Sequence, residues 1–218
     1  MKYYIGIKFF DCKEHMDNFL QGKVYFSTTG ALNLGNNTEM NYNEYEIPIY
    51  NMPVSINGVT FTPNCYSLYY EWQKMVPIFC YCQLDETNCE IYDDLPQIIN
   101  IPTKFNNEGN KKFAAIFDLS DLMDRIDSYC QQKCCGYKWV KVNYVDFSKK
   151  DNSWKNIVSK NIYGFLEVHD VKHSYQNEAR IILTDIISET SFEIDLGHWR
   201  TKTVPLSYNG TNWVVLET

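Results

Sequence analysis

A carboxylate at the start of an apolar run is the feature of this sequence best suited to chemistry. Residues 175–183 pass from a polar cluster into a β-rich apolar run, which places Glu178 at the start of a predicted strand. Side chains two residues apart in a strand point to the same face, so we expect Gln176 and Arg180 beside Glu178. A carboxylate near the interior is costly unless a partner neutralises it or a reaction uses it. Two interpretations follow: a catalytic carboxylate, or an ion pair between Glu178 and Arg180.

Length and composition indicate one folded domain that is not strongly basic. The chain has 218 residues, of which 44% are hydrophobic and 22% charged, and its net charge is −7. These values are ordinary for a globular protein, which at this length buries about 70% of the surface of its unfolded chain. The negative charge argues against nonspecific binding of nucleic acid, because such binding depends on neutralising phosphates. The aromatic content of 16%, with 17 Tyr, favours strands and supplies stacking surfaces.

The sequence also bears on location and metal binding. Residues 1–4 lack the apolar core of a signal peptide, and no run approaches the ~20 apolar residues of a membrane span. We therefore expect a cytoplasmic protein without membrane association, whose 8 Cys are reduced thiols. The spacings of Cys80, Cys82 and Cys89 match no zinc template, so no metal site is predicted.

Apolar periodicity predicts a single α+β domain over residues 1–218, with a mostly antiparallel or mixed sheet and two or three helices. The predicted strands cover residues 2–9, 23–28, 77–84, 112–118, 137–147, 161–168 and 178–187. Residues 85–112 are polar and are predicted to form a surface excursion within the domain. Asn57–Gly58 and Asn209–Gly210 are predicted hairpin turns, because Asn-Gly suits a two-residue turn.

Both predicted helices have an acidic or hydroxyl residue in position to cap them. Asp11 is expected to cap a helix that ends near Leu20, and either Asp118 or Ser120 a helix that ends near Gln132.

Searches for common catalytic motifs find no phosphate-binding loop, dinucleotide fingerprint, zinc-protease motif or nucleophile elbow. Four carboxylates, Glu39, Glu44, Glu46 and Asp118, could bind a metal in an enzyme that processes nucleic acid. A solvated acidic loop is the far commoner origin of such carboxylates. A Cys–His nucleophile also stays open, although no spacing selects one.

The order of three short segments resembles the ADP-ribosyltransferase fold. An early strand carries Tyr3 and Tyr4 where that family has Arg or His, a second strand ends in Ser27-Thr28-Thr29, and a late strand opens with Gln176-x-Glu178. The resemblance implies an enzyme that uses NAD as its substrate, acting as a toxin or as an effector in conflict with phage.

The resemblance also implies a role for each matching residue. Glu178 would be the catalytic carboxylate that stabilises an oxocarbenium-like species, and Gln176 would orient the acceptor or the ribose. Tyr4, Ser27 and Thr28 would line the nicotinamide pocket, with Arg180 as a further cofactor-binding residue. Tyr4, Ser27 and Glu178 should then converge on one concave pocket; a separation of Ser27 and Glu178 beyond about 15 Å, three strand spacings, would contradict this.

A second resemblance, to a widespread bacterial and phage family of unassigned function, covers more of the chain. Its segments are residues 24–27 with 31–33, 78–80, 109–117, 142–144 and the Glu-x-Arg strand at 178–180. This resemblance names no activity. The alternative to the transferase is a non-enzymatic protein that binds a nucleotide or a protein and acts as an inhibitor or by sequestration. The acidic charge, the aromatic surplus and the lack of a complete catalytic set support this alternative. The acceptor of a transferase would be a protein or a nucleic acid.

Overall fold

Apolar and alternating segments of the sequence become the strands of one large sheet. The computed structural model describes residues 5–28, 47–50, 53–63, 65–68, 71–84, 89–92, 95–98, 111–149 and 154–216. In chain order the strands are β1 (Ile5–Phe10), β2 (Lys23–Thr28), β3 (Ile47–Tyr50), β4 (Val54–Ile56), β5 (Val59–Phe61), β6 (Cys65–Leu68), β7 (Pro77–Leu84), β8 (Cys89–Tyr92), β9 (Leu95–Ile98), β10 (Phe113–Asp118), β11 (Gly136–Lys141), β12 (Asn143–Val145), β13 (Val168–Asp170), β14 (Glu178–Thr184), β15 (Phe192–Asp195), β16 (Val204–Tyr208) and β17 (Trp213–Val215).

Within the described part of the chain, nine strands form the main sheet, and every pairing in it is antiparallel. Seven of them follow the order β11-β14-β7-β1-β10-β16-β17, and β2 joins β7 to β15. Four separate pairs complete the β-structure: β3–β6, β4–β5 and β8–β9 are antiparallel, and β12–β13 is parallel. With its helices, this sheet forms a single α+β domain, so the predicted fold class is confirmed.

Three α-helices lie in the described residues: α1 (Lys13–Leu20), α2 (Leu119–Lys133) and the single turn α3 (Lys155–Val158). Asp118 caps α2 as predicted, since its carboxylate accepts a hydrogen bond of 2.8 Å from the Ser120 N–H. The predicted cap of α1 is wrong. Cys12 occupies the N-cap position without a side-chain hydrogen bond, and Asp11 instead pairs with Lys111 at 2.5 Å.

The two faces of the sheet carry different cores because side chains alternate along each strand. On one face α1 and α2 cover an aromatic core around Phe19, Phe79 and Phe117, each about 1% exposed. On the other face Ile78 and Ile182 pack with Val76, Val140 and Leu166. Elsewhere on that face Ile7, Cys82, Leu84, Ala114 and Leu206 form a further apolar cluster.

Two predicted strands near the candidate site differ from the structure. The strand predicted over 137–147 is interrupted at Val142, whose N–H donates to the Glu178 carbonyl at 3.0 Å. The strand predicted over 161–168 is a 3₁₀ turn, Gly164–Glu167, followed by β13. A Cβ atom at Gly164 would lie 2.3 Å from the Val158 carbonyl oxygen. This close approach of two backbone segments is a tertiary contact, which apolar periodicity does not reveal.

Both predicted Asn-Gly turns connect paired strands. In the first, between β4 and β5, Asn57 and Gly58 have φ values of 51° and 79°, as a type I′ turn requires. In the second, between β16 and β17, Asn209 Oδ1 accepts from the N–H groups of Thr211 and Asn212. Of the predicted excursion over residues 85–112, the structure describes the β8–β9 hairpin and the last two residues. Glu39, Glu44 and Glu46 lie outside the described residues.

Candidate functional site

Glu178 and Arg180 lie on the face of β14 opposite the one that α1 and α2 cover, and they bind each other. Arg180 Nε donates to Glu178 Oε1 at 2.7 Å, and Nη2 donates to Oε2 at 3.0 Å. The remaining guanidinium nitrogen, Nη1, donates to the Leu166 carbonyl at 2.7 Å. Arg180 is fully buried and Glu178 is 7% exposed. The pair is therefore a two-pronged, charge-assisted contact that also holds the 3₁₀ turn at 164–167 against the sheet.

The backbone at the start of β14 is bound on both sides. The Glu178 N–H donates to the Tyr144 hydroxyl at 2.8 Å, and the Glu178 carbonyl accepts from Val142. One residue earlier, the Asn177 carbonyl accepts from the Gln83 N–H of β7 at 3.0 Å. Glu178 is thus held in place through its backbone as well as its side chain.

Burial and the arginine act in opposite directions on the Glu178 carboxyl. Burial by itself raises the pKa of Glu178, but the charge and hydrogen bonds of Arg180 outweigh it and lower the pKa to about 2. The nearby Cys80 thiol also helps to lower the pKa of Glu178. Burial, together with the nearby Glu178 charge, raises the pKa of Cys80 to about 12. At neutral pH the carboxylate is therefore ionised and the thiol is protonated.

Two histidines stand next to the pair. His169 is 4% exposed, and its ring lies 6.4 Å from Tyr144 and 4.5 Å from His173 between centroids. Burial lowers the pKa of His169 to about 4, although the Glu178 charge opposes the change. His169 Nδ1 accepts from the Asp170 N–H at 2.8 Å, so the neutral ring carries its proton on Nε2. This histidine is neutral at physiological pH.

Lys8 fills a gap in the sheet beside the pair. β1 pairs with β7 at Cys82–Leu84 and β2 pairs with it at Pro77–Ile78, so among the described strands none pairs with residues 79–81 on this edge. Lys8 Nζ enters the gap, donates to the Cys80 carbonyl at 2.5 Å and lies 4.8 Å from the centroid of the Phe79 ring. Burial lowers the pKa of this ammonium. Lys8 thus satisfies a carbonyl that a strand would otherwise satisfy.

Ser27 and Thr28, two of the predicted nicotinamide-pocket residues, lie across β7 from Glu178. Glu178 is opposite Cys82 on one edge of β7, whereas Ser27 is opposite Ile78 on the other. With strands ~4.8 Å apart and ~3.3 Å per residue, this offset places the Glu178 and Ser27 Cα atoms about 16 Å apart. Ser27 Oγ instead lies 3.0 Å from Ser191 Oγ. Thr28 is fully buried. Ser27 and Glu178 thus lie on opposite edges of β7, and their convergence on one pocket stays a prediction.

The predicted place of Gln176 on the strand face of Glu178 is wrong, whereas the place of Arg180 on that face is confirmed. Gln176 ends a 3₁₀ segment, Val171–Gln176, and Asn177 separates it from β14 with a left-handed φ of 43°. The two-residue period of a strand therefore starts only at Glu178. Gln176 Nε2 lies 3.4 Å from the Tyr175 hydroxyl. Tyr4 lies outside the described residues.

Sequence reasoning missed a second buried ion pair, between Asp121 and Arg125 of α2. Arg125 Nε donates to Asp121 Oδ1 at 2.8 Å, and its other nitrogens donate to the Leu196 and His198 carbonyls. Asp121 Oδ2 accepts from the Arg200 N–H at 2.6 Å. The four-residue spacing of an Asp and an Arg on a helix was available as a signal. This pair fixes residues 196–201 on α2, which is a structural role.

The described part of the chain contains no group of three or more His, Cys, Asp and Glu that could hold a metal ion. Asp118, one of the possible metal ligands, acts as a helix cap.

No described helix combines the length and the apolar character that crossing a membrane requires. Comparisons with known proteins give no match: no family model, curated protein or solved structure matches this chain.

Proposed function

We propose that this chain is a non-enzymatic protein-binding protein that presents the β4–β5 hairpin to its partner. The observation that carries the proposal is the apolar face of this hairpin, which lies in solvent. Val59 is 65% exposed and Phe61 is 47% exposed.

The hairpin is two-sided, with a polar and an apolar face. Val54 is opposite Phe61, so their side chains share a face, and alternation places Val59 on that face as well. On the other face Thr60 Oγ1 donates to Ser55 Oγ at 3.3 Å. Residues 53–62 contain no charged side chain. The centres of protein interfaces are likewise depleted of charge and rich in aromatic residues.

A partner would stabilise this arrangement. The hairpin pairs with no other strand in the described part of the chain. An isolated two-stranded hairpin is marginally stable in water, and fully burying a Val or Phe side chain contributes about 1.5–3 kcal/mol. An uncharged hairpin that exposes its apolar face is therefore better suited to binding a protein than to standing alone.

The geometry around Glu178 favours binding over transferase chemistry. Arg180 donates a hydrogen bond to each carboxylate oxygen of Glu178, and the Cys80 thiol lies near the same carboxylate. A carboxylate that stabilises an oxocarbenium must face the ribose, and Glu178 is directed at its own arginine instead. Ser27, which would line the nicotinamide pocket, lies across β7 from Glu178.

Site-specific crosslinking tests the proposal. A photoreactive residue at position 61 should give a discrete adduct in cells, and the same residue at position 60, on the polar face, should not. Val59→Ser should reduce the yield at position 61 by about tenfold, since losing 1.5 kcal/mol or so of apolar burial lowers affinity by that factor. Ser55→Ala serves as the matched control on the polar face. Equal adducts from both positions, or none from either, would contradict the proposal.

A parallel assay with NAD tests the transferase alternative directly. The purified chain should release no nicotinamide above background, and Glu178→Gln should change nothing in this readout. Release that depends on Glu178 would restore the enzymatic interpretation.

A further inference from the structure

The C-terminal end of α2 is closed by three cysteines in a specific backbone motif. Cys134 has a left-handed conformation with φ of 52° and ψ of 41°. Its N–H lies 3.5 Å from the Gln131 carbonyl, and the Cys135 N–H donates to the Cys130 carbonyl at 3.0 Å. These two bonds define a Schellman motif, in which the side chains at the positions of Cys130 and Cys135 meet. In most proteins that contact is hydrophobic, whereas here both side chains are thiols.

The motif brings these two thiols within bonding reach. The 3.0 Å bond between the Cys135 nitrogen and the Cys130 oxygen, with standard backbone bond lengths, limits the Cα–Cα distance to about 7 Å. Disulfides span Cα distances of about 4.4–6.8 Å. The Cys135 thiol also lies close enough to Cys130 to raise the pKa of the Cys130 thiol. Both are free thiols in the structure.

We propose that Cys130 and Cys135 form a redox modification site that closes as an intramolecular disulfide when the protein meets a small-molecule disulfide such as oxidised glutathione. The bond joins the last turn of α2 to the residue before β11, and so fixes the junction between helix and sheet edge covalently. This site is independent of the proposed partner-binding hairpin.

The reaction proceeds by two exchanges and consumes one oxidised glutathione. The Cys135 thiolate attacks one glutathione sulfur, and the glutathione S–S bond breaks to release one reduced glutathione. Cys130 then loses its proton and attacks the Cys135 sulfur of the mixed disulfide, which releases the second reduced glutathione. Two protein thiols are oxidised, one external disulfide is reduced, and both protein protons leave with the glutathione thiols.

Exposure determines which of the two thiols reacts first. Cys130 is 5% exposed, whereas Cys135 is only partly buried, so the external disulfide reaches Cys135 first. Burial and the neighbouring Cys135 thiol raise the pKa of Cys130, which therefore acts second as the resolving thiol.

The neighbouring Cys134 is exposed but badly placed. Adjacent Cα atoms are 3.80 Å apart, below the usual disulfide range, so a Cys134–Cys135 bond would be strained.

Peptide mapping of the full chain after incubation with oxidised glutathione tests the site. Trypsin cleaves after Arg125, Lys133 and Lys138, so the disulfide should link peptide 126–133 to peptide 134–138, with loss of two hydrogen atoms. Cys134→Ser should retain the link, and Cys135→Ser should abolish it. Cys130→Ala should leave a glutathione adduct on peptide 134–138 without a link. Circular dichroism of each variant confirms that it is folded.

Three results would overturn the proposal. These are a wild-type chain that forms no link, a link that persists in Cys135→Ser, and a link that Cys134→Ser abolishes. The last two would assign the disulfide to Cys134.

Discussion

Removal of Arg180 should reveal how much the buried ion pair contributes to stability. Arg180→Met keeps most of the side-chain volume but leaves the Glu178 carboxylate 7% exposed and without its cation. Breaking a buried pair in this way typically costs about 3–5 kcal/mol. For a chain of 218 residues, such a loss lowers Tm by about 6–20 °C. Glu178→Leu should lose a similar amount, because it leaves the guanidinium buried and unpaired.

The double variant, Glu178→Leu with Arg180→Met, should be more stable than the sum of the single losses predicts. Neither charge then remains buried without its partner. The main remaining loss of stability, about 1–3 kcal/mol, comes from the Leu166 carbonyl, which no longer accepts a hydrogen bond from Arg180 Nη1. Urea unfolding of the wild type, both single variants and the double variant gives the coupling energy. Additive single losses, or single variants within 0.5 kcal/mol or so of wild type, would refute a structural role for the pair.

The same carboxylate should make the stability of the fold decrease at low pH. The pKa of Glu178 in the folded chain, about 2, lies below the ordinary value of 4.5. The unfolded chain therefore binds the proton more readily, and this contribution is fully present above pH 4.5 and disappears as the pH falls toward 2. The shift corresponds to about 3 kcal/mol. In the double variant this part of the pH dependence should be absent.

Three further perturbations test other parts of the fold. Burial lowers the pKa of His169 from 6.5 to about 4, so the free energy of unfolding should fall as the pH drops through this interval. Urea unfolding of His169→Phe should show a weaker loss of stability over the same pH range. Asp121→Asn should lose about 1.5–3 kcal/mol in the same assay, because the Asp121 oxygens bind both Arg125 of α2 and the 196–201 segment. Asp124→Ala is the control: it removes an ion pair whose side chains are 64% exposed, and it should change stability by less than about 1 kcal/mol. Gly6→Ala should cost about 1–3 kcal/mol by thermal melting, because its Cβ would lie 2.3 Å from the Phe117 ring; a neutral result would show that the ring can move aside.

Strands that carry their own periodic signal were predictable from the sequence. The bounds of β2 and β7 coincide with the predicted 23–28 and 77–84, because each has an apolar pattern between clear breaks. The Asp118 cap and the Asn57–Gly58 turn were predictable for a related reason. Their conformations follow from local backbone chemistry that a few residues specify.

The candidate site was only partly predictable. That Glu178 and Arg180 share a face followed from the strand period, and an ion pair between them was one of two interpretations. The positions of Gln176 and Ser27 relative to Glu178 did not follow, because one residue in a left-handed conformation ends the strand period at Asn177, and strand order decides which edge of β7 each neighbour occupies.

The sequence by itself determined the α+β class, the positions of most strands of the main sheet, the helix cap and the two turns, since these depend on periodicity and on contacts between near neighbours. Only the tertiary structure decided that Arg180 occupies the Glu178 carboxylate, that Lys8 fills the gap beside β7, and that Asp121 holds a loop some eighty residues away. The physical reason is that burial, pairing partners and pKa depend on which distant segments pack together. The same glutamate in the same strand could have faced a ligand had another segment lain against it.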